Sequence, residues 1–240
     1  MGETVPAFSL VILCYRSEEY ARDFVGRMTD VLEDAGIRDY ELVLVANYVE
    51  GVADRTPEIA AELAATDPRI RCTAKPKEGW MGWDLRCGLE MARGEIIGMI
   101  DGDGQMPASD VPTLYKLLCK EPYDLVKTFR ITRGDGLGRR LISNVYNKLF
   151  HLLFPGLHAR DMNSKPKLLT RDAFSRMELT SDDWFIDAEI MIQARRLKLR
   201  IGEIPTGFLG LTGRRSFISL KAVFEFLRNL IRYRVREWSR

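Results

Sequence analysis

The chain has 240 residues, 46% hydrophobic and 29% charged, enough to bury one α/β core or one and a half in proportions ordinary for a globular protein. No apolar run approaches the ~18 residues of a membrane span, and the opening MGETVPAF lacks the form of a signal peptide, so a cytoplasmic protein is expected. Cys14, Cys72, Cys87 and Cys119 form no CxxC pair and His151 and His158 are the only histidines, which argues against a disulfide framework, a zinc site or a histidine-based triad. The net charge of +2 hides an asymmetry. Residues 1–120 hold 13 Lys and Arg against 21 Asp and Glu, net −8, and residues 121–240 hold 23 against 13, net +10. A basic second half with apolar residues suggests an anionic partner or a membrane surface, and it lacks the interleaved aromatics of a nucleic-acid binder.

Phe8–Tyr15 is a β-rich apolar run suited to a central strand. Ser17, with Glu18 and Glu19 behind it, reads as the N-cap and acidic first turn of a helix. Tyr20, Phe24, Met28, Val31, Leu32 and Ala35 share one face of that helix, and Gly36 ends it. Glu41–Val45 is a second strand, and Thr56-Pro57 reads as an N-cap and first-turn proline opening a helix to about Leu63. Ile70–Ala74 is a third strand, Lys75–Gly82 a loop, and Trp83–Ala92 a helix closed by Gly94, before a strand at Ile96–Ile100. Ser109 is expected to cap a helix bearing Val111, Leu114, Leu117 and Leu118, with a strand following at Asp124–Phe129. A Gly/Arg-rich loop, Ile131–Arg140, then leads to a helix at Leu141–Phe154. Asp182 and Asp183 are cap candidates for a helix at Trp184–Leu197, Gly202–Phe208 is a strand, and Ser219–Trp238 is a closing helix. Strands alternating with helices of these lengths predict an α/β fold with a mostly parallel sheet and right-handed crossovers.

Within this pattern the run Ile96–Ile100 stops at Asp101-Gly102-Asp103, so two carboxylates fall at the carboxyl end of a strand. Ligands of open α/β sheets bind at that edge. Two hard oxygen donors there suit Mg²⁺ or Mn²⁺, which accompany phosphate-rich substrates, although Asp-Gly is also an ordinary turn dipeptide.

The order of these pieces resembles the inverting nucleotide-sugar glycosyltransferases of family 2, which have the GT-A fold. VILCYRSEE is similar to that family's opening strand and loop, and LRCGLEMARGEIIGMIDGDGQMP to its most recognisable stretch. Downstream, RRLISNVYNKLF, Asp161 in RDMNSK, WFIDAEI, GEIP and GRRSF follow the order of the branch that transfers sugars to dolichyl or other polyprenyl phosphates. The resemblance implies one GT-A domain. Its donor half spans residues 1–125, its acceptor half 126–212 and a C-terminal basic amphipathic helix 213–240. Where the family has two aspartates after its second strand, this chain has Ala46-Asn47-Tyr48, and Leu13 and Arg16 stand where Pro and Asn are common.

The resemblance implies that Asp103, helped by Asp101 and Gln105, binds the divalent ion bridging the donor's two phosphates. Tyr15 and Asn47 belong to the donor side on the same reading, and the Asn47 amide offers a base both a donor and an acceptor. Arg214 and Arg215, ahead of Ser216, resemble a late basic motif that closes on the pyrophosphate, where arginine's fork suits the task. Arg130, Arg139, Arg140 and Ser143 stand where lipid-phosphate relatives grip the acceptor's phosphate, and a helix N-terminus favours anions. Asp187 and Glu189 are candidates for a general base or for orienting the acceptor. At i and i+2 they do not share a helical face, and Asp187 is favoured as the cleft residue because Trp184, Ile186 and Ile190 would desolvate it; the alternative is that Asp187 only holds an arginine.

The closing helix carries Leu220, Val223, Phe224, Leu227, Leu230 and Ile231 on one face and five arginines around it, with Tyr233 and Trp238 near its end. That pattern fits the surface of an anionic membrane, packing on the protein's own core, or a dimer contact. The expected function is metal-dependent hexose transfer from a nucleoside diphosphate sugar to a polyprenyl phosphate at the cytoplasmic membrane face. Transfer to a glycan hydroxyl and non-catalytic nucleotide-sugar binding are the alternatives.

Overall fold

The computed structural model describes residues 5–133, 137–208 and 227–235, with side chains throughout these except at 132–133, 137–144 and 208. Strands β1 (Phe8–Leu13) and β2 (Tyr40–Val45) are buried at every residue. Near-continuous apolar runs of this kind are what a parallel sheet with helices on both faces requires. With β3 (Ile70–Thr73), β4 (Ile96–Asp101), β5 (Leu125–Arg133), β6 (Lys167–Thr170) and β7 (Ile201–Phe208) they form one sheet in the order β3-β2-β1-β4-β6-β5-β7. The β1–β4 pairings and β5 with β7 are parallel, whereas β6 runs antiparallel to both β4 and β5.

Alternate residues of each strand enter opposite cores. On one face Val11, Leu13, Val43, Val45, Ile97 and Met99 pack with Leu85 and Leu89 of α3 (Met81–Met91), Phe150 of α5 (Leu137–Leu153) and Ile190 of α7 (Ile186–Arg196). Leu230, from a helix at 227–235 (α8), joins the same core. On the other face Phe8, Leu10, Ile12, Leu42, Leu44 and Ile100 meet Phe24 and Met28 of α1 (Glu19–Asp34), Ala60 of α2 (Thr56–Thr66) and Leu114 of α4 (Asp110–Lys120).

Three local expectations need correction. Neither β6 nor α6 (Arg171–Ser175) was visible in the sequence pattern, because β6 has four residues and opens with a fully buried lysine. Helix α5 begins at Leu137 and not at Leu141, so Arg139 and Arg140 belong to its first turn instead of a loop. Ser17, Thr56 and Ser109 do not cap α1, α2 and α4 through their side chains. Thr56 lies inside α2, and its backbone N–H is taken by Asp54 Oδ1 at 3.0 Å; among the described residues a side-chain cap falls at Thr170, which accepts from Ala173 N at 3.2 Å.

The seam between α3 and the sheet depends on Gly88. A Cβ there would lie 2.4 Å from Val11 Cγ1 and 2.6 Å from Val45 Cγ2, inside van der Waals contact. Gly88→Val should destabilise the fold by about 3 kcal/mol through overpacking. Gly88→Ala should cost less, because alanine's helix propensity returns about 1 kcal/mol. Urea unfolding of both variants checks the order.

Candidate active site

Thr73, Val45, Leu13 and Asp101 lie level with one another across β3, β2, β1 and β4. The segments that follow β1, β2 and β4, which carry Tyr15, Asn47 and Asp103, therefore leave the sheet at one edge. Gly102 N donates to Leu13 O at 2.9 Å, which fixes the chain's exit from β4. Gly104 follows with φ +70°, in the left-handed region, and Asp103 Oδ1 accepts from Gln105 N at 3.0 Å. A side chain on Gly104 would be strained and would also meet the Tyr20 ring at 2.9 Å.

Asp101 is not a solitary carboxylate. Lys165 Nζ lies 3.0 Å from its Oδ1 and 3.2 Å from its Oδ2, and the same ammonium is 2.9 Å from Asp187 Oδ2. Lys167 Nζ meets Asp187 Oδ1 at 2.5 Å and Ser164 O at 2.7 Å. Lys165, Lys167 and Asp187 are all buried. Burial works to raise the Asp187 pKa, but the two ammonium groups outweigh it and hold the carboxyl below the usual range. Burial works to lower the Lys165 pKa, and Asp101 and Asp187 reverse this, so that lysine stays charged. Burial pushes Lys167 down to about 8, opposed by Asp187 and aided by Lys165 and Lys127. Asp187 thus holds two lysines, where the alternative drawn from sequence had it holding an arginine.

Asn47 is buried, with its amide engaged inside the protein: Oδ1 accepts from Lys75 N and Nδ2 donates to Asp84 Oδ1, both at 2.9 Å. Asp84 also pairs with Lys77, whose ammonium sits 4.4 Å from the centre of the Tyr15 ring. Burial raises the Asp84 pKa against the pull of Lys77 and Asn47. The Asn47 side chain therefore shapes the Lys75–Lys77 segment and the start of α3.

Across the sheet, Arg130 meets Asp161 in a fork, Nε to Oδ2 and Nη2 to Oδ1, both at 2.6 Å. Asp161 Oδ2 also accepts from Arg130 N at 3.2 Å, and Asp161 itself has φ +43°. Beside this pair the fully buried Lys127 donates to Thr128 O and Arg160 O, each at 2.7 Å, and to Glu203 Oε1 at 3.0 Å.

A family model for glycosyl transferase family 2 matches residues 9–180. The chain belongs to that family. A dolichyl-phosphate beta-glucosyltransferase of Trichomonas vaginalis is 26% identical over 96% of this chain and 75% of that protein. A dolichol-phosphate mannosyltransferase of Pyrococcus furiosus is also 26% identical, over 96% of this chain and 64% of the other. A crystal structure of Mycobacterium tuberculosis glucosyl-3-phosphoglycerate synthase, in complex with Mn²⁺, UDP and glucosyl-3-phosphoglycerate, matches with TM-score 0.72 at 20% identity over 95% of this chain and 80% of that one. The fold is GT-A.

In this family 2 glycosyltransferase Glu189 sits on the far side of α7 from the Asp101 edge. Its carboxylate accepts from Thr180 N, Ser181 N and the Thr180 hydroxyl at 2.8 to 3.1 Å and from the Tyr233 hydroxyl of α8. Those contacts, the Phe185–Tyr233 ring pair at 5.0 Å and an Asn229–Asp183 hydrogen bond of 2.6 Å dock α8 onto the core. Arg228, Ile231, Arg232 and Val235 form its outward stripe. Arg214, Arg215 and Ser216 lie outside the described residues, as do the side chains of Arg139, Arg140 and Ser143. Sequence reasoning missed Lys165, Lys167 and Asp84. The one available signal was a pair of lysines flanking Pro166 directly before Leu168-Leu169, a place where surface lysines would be out of keeping with the apolar run.

Asp187→Asn leaves Lys165 and Lys167 short of a buried anion and should destabilise the protein by roughly 3–5 kcal/mol at neutral pH. Because the folded pKa is depressed, this contribution is complete above the ordinary carboxylate pKa of about 4 and is lost as pH falls through the lower folded value. The gap between wild type and variant in urea melts should therefore close at acid pH.

Proposed function

We propose that this glycosyltransferase moves a hexose, with inversion, from a nucleoside diphosphate sugar onto a polyprenyl phosphate. The observation that carries this reading is the state of Asp187. A general base needs a pKa near the working pH and access to the proton it takes. Asp187 is 2% exposed, clasped by two ammonium groups and acidified by them. A sugar hydroxyl as acceptor would require such a base. A phosphate monoester, with its second pKa near ~6, is already ionised at neutral pH and attacks the anomeric carbon unaided. The relatives named for dolichyl-phosphate and dolichol-phosphate transfer support the same acceptor class.

The donor set at the sheet edge fits a divalent ion. Among the described residues no three His, Cys, Asp or Glu side chains gather into a protein-only cage. Asp101, Asp103 and Gln105 supply instead a few hard oxygen donors, the arrangement Mg²⁺ and Mn²⁺ use when phosphates complete their coordination. When bound, the ion offsets charge on the departing nucleoside diphosphate. Tyr15 and Lys77 line the donor side, with Asn47 and Asp84 behind them. Arg214, Arg215 and Ser216 are assigned to the pyrophosphate, and Arg130, oriented by Asp161, to the acceptor phosphate together with Arg139, Arg140 and Ser143. Residues 1–125 form the donor half and 126–212 the acceptor half. No described helix is long and apolar enough to cross a membrane. The mixed stripe of Arg228, Ile231, Arg232 and Val235 supports contact with an anionic membrane surface instead.

Purified protein with Mn²⁺ and a panel of labelled uridine, guanosine and thymidine diphosphate sugars should glycosylate polyprenyl phosphate and leave the unphosphorylated polyprenol untouched. Asp103→Ala should lower kcat/KM by on the order of 100-fold or more. The rate should be flat from pH 7 to 9 and fall below about 6 as the acceptor phosphate gains a proton. Equal transfer to polyprenol, or to a glycan hydroxyl, would sink the acceptor assignment.

A further inference from the structure

Lys165 touches both the first carboxylate of the Asp101-Gly102-Asp103 step, that of Asp101, and the buried Asp187. Its side chain is 3% exposed, whereas Asp101 is 34% exposed at the mouth of the edge. Asp187 has a second ammonium in Lys167, so among the described residues the pairing that Lys165 alone supplies is the one with Asp101. That pairing engages both Asp101 oxygens, at 3.0 and 3.2 Å. It is also built into the sheet. Met99 of β4 stands opposite Lys167 of the reversed strand β6, and continuing that register two residues outward brings Lys165 opposite Asp101. An ammonium clamped on both oxygens cancels most of the field that a carboxylate offers a second cation.

We infer that Lys165 is a positioning residue that divides the work of the two aspartates: Asp101 serves as the counter-ion of Lys165, and direct contact with the divalent ion falls to Asp103 and Gln105. The inference rests on the metal reading given above and narrows its donor set by withdrawing Asp101. It makes the edge less electronegative than its two carboxylates imply and sets a ceiling on its affinity for a bare cation. Lys165 acts through Asp101 and touches no reacting atom.

The sign of the effect separates this role from simple support of the fold. Removing the positive charge with Lys165→Met should release Asp101 toward the ion and tighten binding of Mn²⁺ alone about tenfold, read from the free Mn²⁺ signal in electron paramagnetic resonance. Lys165→Gln, which keeps a hydrogen-bonding tip, carries the same expectation should the methionine variant not fold. The gain should vanish when Asp101→Asn is added to either variant. Unchanged or weaker Mn²⁺ binding in a folded Lys165 variant, or a gain that survives Asp101→Asn, overturns the inference. Asp103→Ala is the control for the reading beneath it. Loss of Mn²⁺ binding there, without tightening in the Lys165 variants, overturns the division of work alone. Mn²⁺ binding unaffected by Asp103→Ala, or absent in wild type, overturns the metal reading and the inference together.

Discussion

A charge taken out of water must find its partner within hydrogen-bond reach or be neutralised, and in this protein that rule binds the end of β4, the start of β6 and the first turn of α7 to one another. Asp101, Lys165, Asp187 and Lys167 alternate in sign from the rim of the sheet edge inward. The reversed direction of β6 makes the chain possible. An antiparallel strand enters the sheet at the edge where its parallel neighbours leave it, so the residues just before β6 arrive beside the residues that end β4. A parallel strand in that place would bring its other end to the edge and leave Asp187 without cations. The two halves of the molecule, acidic and basic in sequence, are thus joined at the site by the Asp101–Lys165 pair, which crosses between them.

Much of this was legible beforehand, for a physical reason. Strands covered on both faces must be apolar at nearly every position, and helices that cover them must be apolar on one stripe, so β1, β2, β4, α1 and α4 announce themselves in FSLVIL, YELVLV, IIGMID and the 3.6-residue spacing of Phe24, Val31 and Leu114's neighbours. The place of Asp101 and Asp103 was legible because a strand that stops on DGD delivers them to the sheet's edge. The helix starts were less so. Ser and Thr before a helical stretch satisfy the capping preference in sequence, yet the Thr56 hydroxyl is taken up with Asp54 and with Glu18 N, and a cap depends on φ and ψ that tertiary contacts impose.

The interior of the site was the least legible part. Lysine is read as a surface residue on base rates, and nothing local marks Lys127, Lys165 and Lys167 as buried; their partners Glu203, Asp101 and Asp187 lie 76, 64 and 20 residues away in the chain. For the same reason Asn47 looked available to a ligand. Its amide has the right chemistry for a nucleobase, but Lys75 and Asp84 reach it first. Glu189, by contrast, was expected from its spacing to point away from Asp187, and it receives the backbone of Thr180 and Ser181 and the hydroxyl of Tyr233.

The shared anion at Asp187 also restricts how this sequence is free to drift. A substitution that neutralises Asp187 strands two cations at once, and one that removes Lys167 leaves Lys165 to balance both Asp101 and Asp187. The first step leaves buried charge uncompensated and the second leaves one cation for two anions, whereas loss of Lys165 still leaves Asp187 a partner of its own. Substitution at position 165 is therefore the mildest of the three, and 167 and 187 change without stranding a charge only as a pair, so that the rim of the site is open to retuning while its interior moves as one unit.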